Sequence, residues 1–184
     1  MRKIINFKSI LLIISLFLIT NCSNNNAMKP EDFKNKEPRL IIEEYLSGNV
    51  KAWGVLQNRS GKVTRQFSAD LNGTWDGKQL ILDEKFNWSD GEVQTRQWKI
   101  IKIDDHNYEG TAGDVVGTAK GFSYGPAFKF EYVLLVPVKG KEIKITFDDW
   151  IFMQDDKVAI NRATMTKFGF KVAELTVSFI KSNQ

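Results

Sequence analysis

Residues 128–151 read FKFEYVLLVPVKGKEIKITFDDWI. Two runs rich in aromatic and β-branched residues flank Lys139-Gly140, a dipeptide suited to a two-residue hairpin loop. Such a loop fixes which residues face each other. Val136 then opposes Ile143, Leu134 opposes Ile145, Tyr132 opposes Phe147 and Phe130 opposes Asp149. One face carries Phe128, Phe130, Tyr132, Leu134, Ile143, Ile145, Phe147 and Ile151. An apolar stripe this regular is the pattern of antiparallel strands with one face on a core.

Toward the C-terminus, Asp155-Asp156 supplies the next turn signal. Read as a two-residue loop, it pairs Ile151 with Ile160, Phe147 with Thr164 and Asp149 with Arg162. Ile160 joins the same face, and within that face one acid meets one base. A carboxylate and a guanidinium on an apolar surface survive there only as partners. The pair reads as a latch that fixes strand register, as an anchor for the polar head of a ligand with Tyr132 beside it, or as broken by a bulge that puts one of the two in solvent. Trp150 and Phe152, on the opposite face from Phe147, hint at such an irregularity near Asp148.

Toward the N-terminus, Asp76-Gly77 is a third turn signal. It opposes Trp75 to Lys78, Leu71 to Leu82 and Phe67 to Phe86. Phe67, Ala69, Leu71, Leu80, Leu82 and Phe86 fall on one face, and Ser68, Asp70, Asn72, Asp83 and Lys85 on the other. Asp90-Gly91 marks another turn, but Val93 to Asp104 alternates too poorly to give a register. Short strands with closely spaced turns predict an all-β fold, an antiparallel meander barrel of about eight strands able to hold one small ligand. Arg39 to Leu46 reads as a possible short helix or plug segment.

The N-terminal segment has a different character. Arg2, Lys3 and Lys8 precede an apolar run from Ile10 to Ile19, and Ile19-Thr20-Asn21-Cys22 follows. The run is shorter than the roughly 20 residues of a membrane span and matches a signal peptide. Cys22 is the single cysteine, and the segment resembles a bacterial lipobox, in which the signal is cut before the cysteine and the cysteine carries lipid. Ser23, where Asp would favour the inner membrane, points to the periplasmic face of the outer membrane. Residues 1–21 are thus expected to be a signal, 22–38 a lipidated cysteine and flexible tether, and 39–184 the barrel. Without the signal the net charge falls from +4 to about +1. No block of like charge remains to suggest nucleic acid as a partner.

Signatures of catalysis are missing. His106 is the single histidine, which leaves no two-histidine metal site; it sits in Asp104-Asp105-His106-Asn107, the composition of a solvated turn. No Gly-x-Ser-x-Gly elbow occurs. The glycines Gly110, Gly113, Gly117, Gly121 and Gly125 lack the strand-then-helix setting of a phosphate loop and read as close packing or bends in barrel strands. No cofactor, metal or catalytic residue is assigned.

The run Phe147-Asp148-Asp149-Trp150, followed by Asn161-Arg162-Ala163-Thr164-Met165-Thr166-Lys167-Phe168-Gly169, resembles the signature of a bacterial lipoprotein family of unknown function, domain of unknown function 3833. Gly110, Gly117, Gly121 and Tyr132 fit the same pattern. The resemblance, from about Arg39 to Lys181, implies an envelope lipoprotein with a barrel-like fold and no established activity. Gly73-Thr74-Trp75 is similar to the Gly-x-Trp of lipocalins, though it falls in a later strand. The expected partner is a hydrophobic small molecule or lipid, lined by Phe128, Phe130 and Phe147 and oriented by Tyr132, Asp149 and Arg162. The rival readings are a structural lipoprotein whose barrel is filled by its own side chains, and an enzyme acting on lipids through a carboxylate or tyrosine.

Overall fold

The computed structural model describes residues 27–182, so the signal segment and the lipidation expected at Cys22 lie outside the described residues. Ten antiparallel strands form a meander: β1 (Gly48–Asn58), β2 (Val63–Trp75), β3 (Gln79–Trp88), β4 (Val93–Lys102), β5 (Asn107–Thr111), β6 (Ala119–Tyr124), β7 (Ala127–Val138), β8 (Lys141–Met153), β9 (Val158–Lys167) and β10 (Phe170–Lys181). Each pairs with its neighbours in sequence, and β10 closes the barrel on β1 through pairs such as Gly54 with Val177. Closure of β10 on β1 removes the two outer edges that an open ten-stranded sheet would have. The all-β antiparallel meander barrel expected from the turn signals is therefore present, with ten strands.

The two ends differ. The β2–β3, β4–β5, β6–β7 and β8–β9 connections share one end, and there the chain from Leu40 to Leu46 folds inward as a plug. Leu40, Ile42, Tyr45 and Leu46 are buried, and Ile42–Tyr45 forms a single helical turn, α1. Polar bonds fix the plug to the wall. The buried Glu43 carboxylate accepts from Lys102 Nζ at 2.7 Å and from the Tyr108 hydroxyl at 2.8 Å, and the Tyr45 hydroxyl donates to the Lys157 carbonyl at 3.0 Å. Before the plug, Pro30–Phe33 makes a 3-10 turn within the stretch read as tether. Its Phe33 ring lies 6.1 Å from Trp150 and 5.5 Å from Phe152, on the outside of the barrel. That cover explains why Trp150 is buried although it points away from the interior.

Gly73 is required where the plug meets the wall, because a Cβ there would lie 2.0 Å from the Leu46 carbonyl oxygen. Backbone cannot yield as a side chain can, so Gly73→Ala is expected to cost about 1–3 kcal/mol through overpacking. Urea unfolding of the variant measures it, and an unchanged midpoint would show that the plug is not seated as described.

Three registers test the hairpin reading. Between β7 and β8 the expected pairs all occur: Val136 with Ile143, Leu134 with Ile145, Tyr132 with Phe147 and Phe130 with Asp149. Between β2 and β3 the pairing is displaced by two residues, Trp75 with Leu80 and Phe67 with Trp88. The Asp76 carboxylate accepts from the backbone of Lys78 and Gln79, so Asp76 opens the turn instead of occupying its tip. A two-residue shift leaves every side chain on its expected face. Between β8 and β9 the displacement is a single residue, and that changes everything. Asp155 caps the backbone of Lys157 and Val158, Gln154 N donates to Val158 O, and the loop has three residues. Asp149 therefore opposes Ala163, Phe147 opposes Met165 and Ile151 opposes Asn161. An odd shift turns the whole of β9 over.

The expected Asp149–Arg162 pair is therefore corrected. Arg162 opposes Trp150 and points outward, its side chain 68% exposed and 3.5 Å from Glu174. Ile160 leaves the inner face with it, and Ala159, Asn161 and Ala163 take the buried positions.

Candidate functional site

The barrel interior is hollow in two places. A void of about 110 Å³ lies above the plug, floored by Ile42 and Leu46 and walled by residues including Phe128, Phe130, Ile151 and Val177. A second, of about 210 Å³, opens toward the unplugged end between Leu56, Trp88, Val136, Phe147 and Met165. Phe67, Phe86, Arg96, Tyr132 and Leu175 line both, so only this layer of side chains separates them.

The wall between Trp98 and Phe147 is an aromatic ladder. Phe128 to Phe130 and Phe130 to Tyr132 are each 5.5 Å apart, Tyr132 stacks on Phe147 at 5.0 Å, and Trp98 lies 5.1 Å from Phe130. The rings project from alternate positions of β7, from Phe147 on adjoining β8 and from Trp98 on β4, as inward period-2 residues must. Room for them comes from the opposite backbone: a Cβ on Gly110 would sit 2.4 Å from the Phe130 ring. The close-packing reading of that glycine is borne out.

Charged groups occupy the middle layer. Arg96 reaches inward from β4, 3.6 Å from Glu84 on β3, and its guanidinium makes a two-pronged bond to Asp114, with contacts of 3.1 and 2.7 Å. Asp149 accepts from the Tyr132 hydroxyl at 2.9 Å and from the Asn161 amide, which also donates to the Trp150 carbonyl. The Glu84 Oε2 atom is buried and has no hydrogen-bond partner among the described residues. An orphan acceptor of this kind costs about 1–3 kcal/mol, more when charged, unless something satisfies it.

This environment raises both carboxyls. Burial pushes Glu84 up to about 7 against the pull of Arg96, with Asp149 and Asp114 adding to the rise. Burial likewise pushes Asp149 up to about 6, against the bonds from Asn161 and Tyr132. Tyr132 is held well above the ordinary tyrosine range by burial and by the Asp149 charge. Near neutral pH the interior thus offers a permanent cation, two carboxyls that exchange protons, and one acceptor facing the void.

The wall is not uniform around this cluster. β4 pairs with β5 only from Lys99 to Lys102. Beyond that point the β5–β6 connection leaves β4 and lies along β7, through the Val115–Leu134 bridge and the bond from Leu135 N to Asp114 O. A cleft lined by Gln94, Gln97, Asp114, Leu135 and Pro137 remains on the outer side. The Arg96–Asp114 bond spans it.

Of the six residues expected to line a ligand site, five meet at the interior: Phe128, Phe130, Tyr132, Phe147 and Asp149. Arg162 does not. Its place as interior cation belongs to Arg96, which sequence reasoning missed together with Glu84 and Asn161. The signal was there. Glu84 has the parity of Leu82 and Phe86, and Arg96 that of Trp98 and Ile100; β4 alternates poorly because polar Gln94 and Arg96 share the inward parity while Val93 and Ile101 fall on the other. Gly73 and Trp75 stand at the plugged end, where Gly73 packs on the plug and Trp75 against the core.

The S-type phycobiliprotein lyase from Guillardia theta has a TM-score of 0.57 to this chain at 8% identity, over 77% of this chain and 91% of the lyase. A protein of unknown function from the DUF3598 family of Nostoc punctiforme also gives 0.57, at 14% identity, over 80% of this chain and 51% of that one. This chain spans about half the length of the latter. At such identities the likeness is one of fold, a lipocalin-like barrel. No curated protein matches the chain. A family model matches residues 16–181, including every strand of the barrel, and the chain belongs to the family described as protein of unknown function, DUF3833.

Proposed function

We propose that this protein binds a small hydrophobic molecule inside the barrel, with the polar end of the ligand at the Glu84–Arg96–Asp149 layer. The observation that carries this reading is the buried Glu84 Oε2, which has no hydrogen bond among the described residues and only Arg96 at 3.6 Å, on a void walled mainly by apolar side chains. An aromatic and aliphatic wall with a few convergent polar groups is the usual make-up of a ligand pocket. The void above the plug is smaller than the ~300–1,000 Å³ of drug-sized sites. A ligand therefore extends through the middle layer into the upper void and meets both. Each 100 Å² of apolar ligand surface removed from water contributes about 2.5 kcal/mol. The fold neighbour named a phycobiliprotein lyase lends the general precedent of a barrel that works on a partner molecule.

In this proposal Cys22 carries lipid after removal of residues 1–21, and the barrel is held at the periplasmic face of the outer membrane. A lipid or fatty-acid derivative is the ligand class that setting favours. The self-filled barrel is the second reading, favoured by the ladder from Phe128 to Phe147, which already occupies much of the interior.

Organic extraction and mass spectrometry of the natively purified protein separate the two. The binding reading expects a stoichiometric small molecule, together with a rise in melting temperature when it is added back. A clean extract, with no thermal shift from fatty acids, fatty alcohols or fatty amines, would leave the self-filled barrel.

A further inference from the structure

The unplugged end of the barrel presents apolar side chains to solvent that no described part of the fold uses. Phe168 and Phe170, at the β9–β10 tip, are 89% and 73% exposed. Val63, Val93, Val138 and Val172 are exposed at the same end. Isolated exposed hydrophobics are ordinary, but an aromatic pair at a loop tip with further apolar residues around one rim marks an interaction surface.

The backbone adds a second observation. Phe168 has φ +52° and Gly169 has φ +80°, so Phe168 occupies the left-handed region at a tight hairpin turn. Asn, Asp or Gly ordinarily fill that position, and a bulky aromatic is disfavoured there. Burial does not compensate, since the ring stands almost wholly in solvent. The side chain is held out by a turn that another residue would form more easily.

The charge around the tip is mainly positive, with Glu142 next to Lys141 and Glu174 3.2 Å from Lys171 as the nearby acids. The three neighbouring loop segments, 59–62, 139–141 and 167–171, carry Arg59, Lys62, Lys139, Lys141, Lys167 and Lys171 and no acid. Lys167 Nζ lies 5.3 Å from the Phe168 ring centre. Across the mouth, Asp90 and Glu92 are each 2.7 Å from Arg65, which rests on Trp88 and neutralises much of their charge. Aromatic tips collared by lysine are suited to a surface that is anionic outside and hydrocarbon just beneath.

From these observations we propose that the open rim docks on an anionic lipid bilayer, with Phe168 and Phe170 inserted at the headgroup boundary and the lysine collar against the phosphates. The described chain starts at the opposite end, beside the β6–β7 connection, where Gly125 meets the Phe33 carbonyl. Contact by the rim is therefore additional to the anchorage proposed at Cys22. It places the mouth of the upper void against lipid, yet rests on the rim alone and stands whether or not the interior takes a ligand.

The test uses the chain from residue 27 onward, which lacks Cys22 and the apolar leader but keeps every strand and all the described core, Leu40 to Val177. It is sedimented with vesicles of phosphatidylethanolamine and phosphatidylglycerol, and with vesicles of phosphatidylcholine alone. The expected result is binding to the anionic vesicles that weakens with added salt, and at least a tenfold loss of binding in Phe168→Ser/Phe170→Ser. That variant should melt at or above the parent temperature, since both residues are exposed and one is strained. As a positive control on depth, Phe168→Trp should keep binding and show quenching of its added fluorescence by lipids brominated near the headgroup. Absence of binding to anionic vesicles, or binding equally strong in the double serine variant, would overturn the proposal. So would an oligomer in solution that the double variant converts to monomer without any vesicle binding, because the rim would then join copies of the chain.

Discussion

Replacing Arg96 with alanine is expected to destabilise the protein by about 3–5 kcal/mol, the cost of stranding a buried ionic partner. Arg96 is 15% exposed and stands between Glu84, 12% exposed, and Asp114, 30% exposed. Its loss leaves the Glu84 carboxylate with no cation beside it and releases the Asp114 segment from β4. Urea unfolding at pH 7 with the linear-extrapolation slope recorded is the measurement. A companion variant, Arg96→Leu/Glu84→Leu, should regain most of the loss, because removing both charges removes the desolvation cost as well. If Arg96→Ala cost less than about 1 kcal/mol, the pair would be behaving like a solvated surface bridge. The same variant should also loosen the side cleft, read as faster hydrogen exchange from Ala112 to Val116.

Stability is expected to fall as pH rises from about 4.5 to about 7. Glu84 and Asp149 both bind their protons more tightly folded than unfolded. Between the unfolded and folded values the native state holds more protons, so unfolding free energy decreases with pH across that window and levels off above it. For Glu84, the rise from 4.5 to about 7 corresponds to about 3 kcal/mol at 1.36 kcal/mol per unit. Below the window the sign reverses. Asp76, Asp90, Asp104 and Asp155, held low by hydrogen bonds in their turns, lose stabilising interactions as they protonate. The optimum therefore lies below about pH 4.5, where the raised and the lowered carboxyls balance. Glu84→Gln should be about 2–3 kcal/mol more stable than the parent at pH 8 and should flatten the slope, since Arg96 keeps Asp114. A thermal-melt series from pH 4 to 8 on both proteins decides it; a parent curve that rises to pH 7 would contradict the buried, raised carboxyls.

The same protonation has a consequence for a bound ligand. Above about pH 7 the layer holds Arg96 against up to three carboxylates, and a ligand amine or hydroxyl satisfies Glu84 better than a fatty-acid carboxylate would. The interior cation expected from sequence at Arg162 would have suited a carboxylate freely, whereas Arg96 is already engaged by Asp114.

Much of the barrel wall is legible in the order of residues. The β7–β8 hairpin follows from Lys139-Gly140, whose φ values of +49° and +76° are those such a turn requires. The inner face of β2 and β3 follows even with the loop misplaced, because a two-residue error preserves parity. The aromatic wall from Phe128 to Phe147 follows from the same alternation. What fails is the single step across Asp155-Asp156. One extra loop residue, stabilised by a side-chain cap, moves Arg162 from the interior to solvent and puts Asn161 in its place.

Local turn chemistry and apolar period determined, from the sequence alone, that this chain forms an antiparallel barrel with an aromatic inner wall. Both act over a few residues and are written in residue order. The tertiary structure alone decided which of the inward charges meet. Glu84, Arg96, Asp114 and Asp149 come from four places in the chain; Arg96 joins Glu84 to Asp114, and Tyr132 and Asn161 satisfy Asp149. That compensation depends on distances across the barrel, which alternation along one strand does not encode.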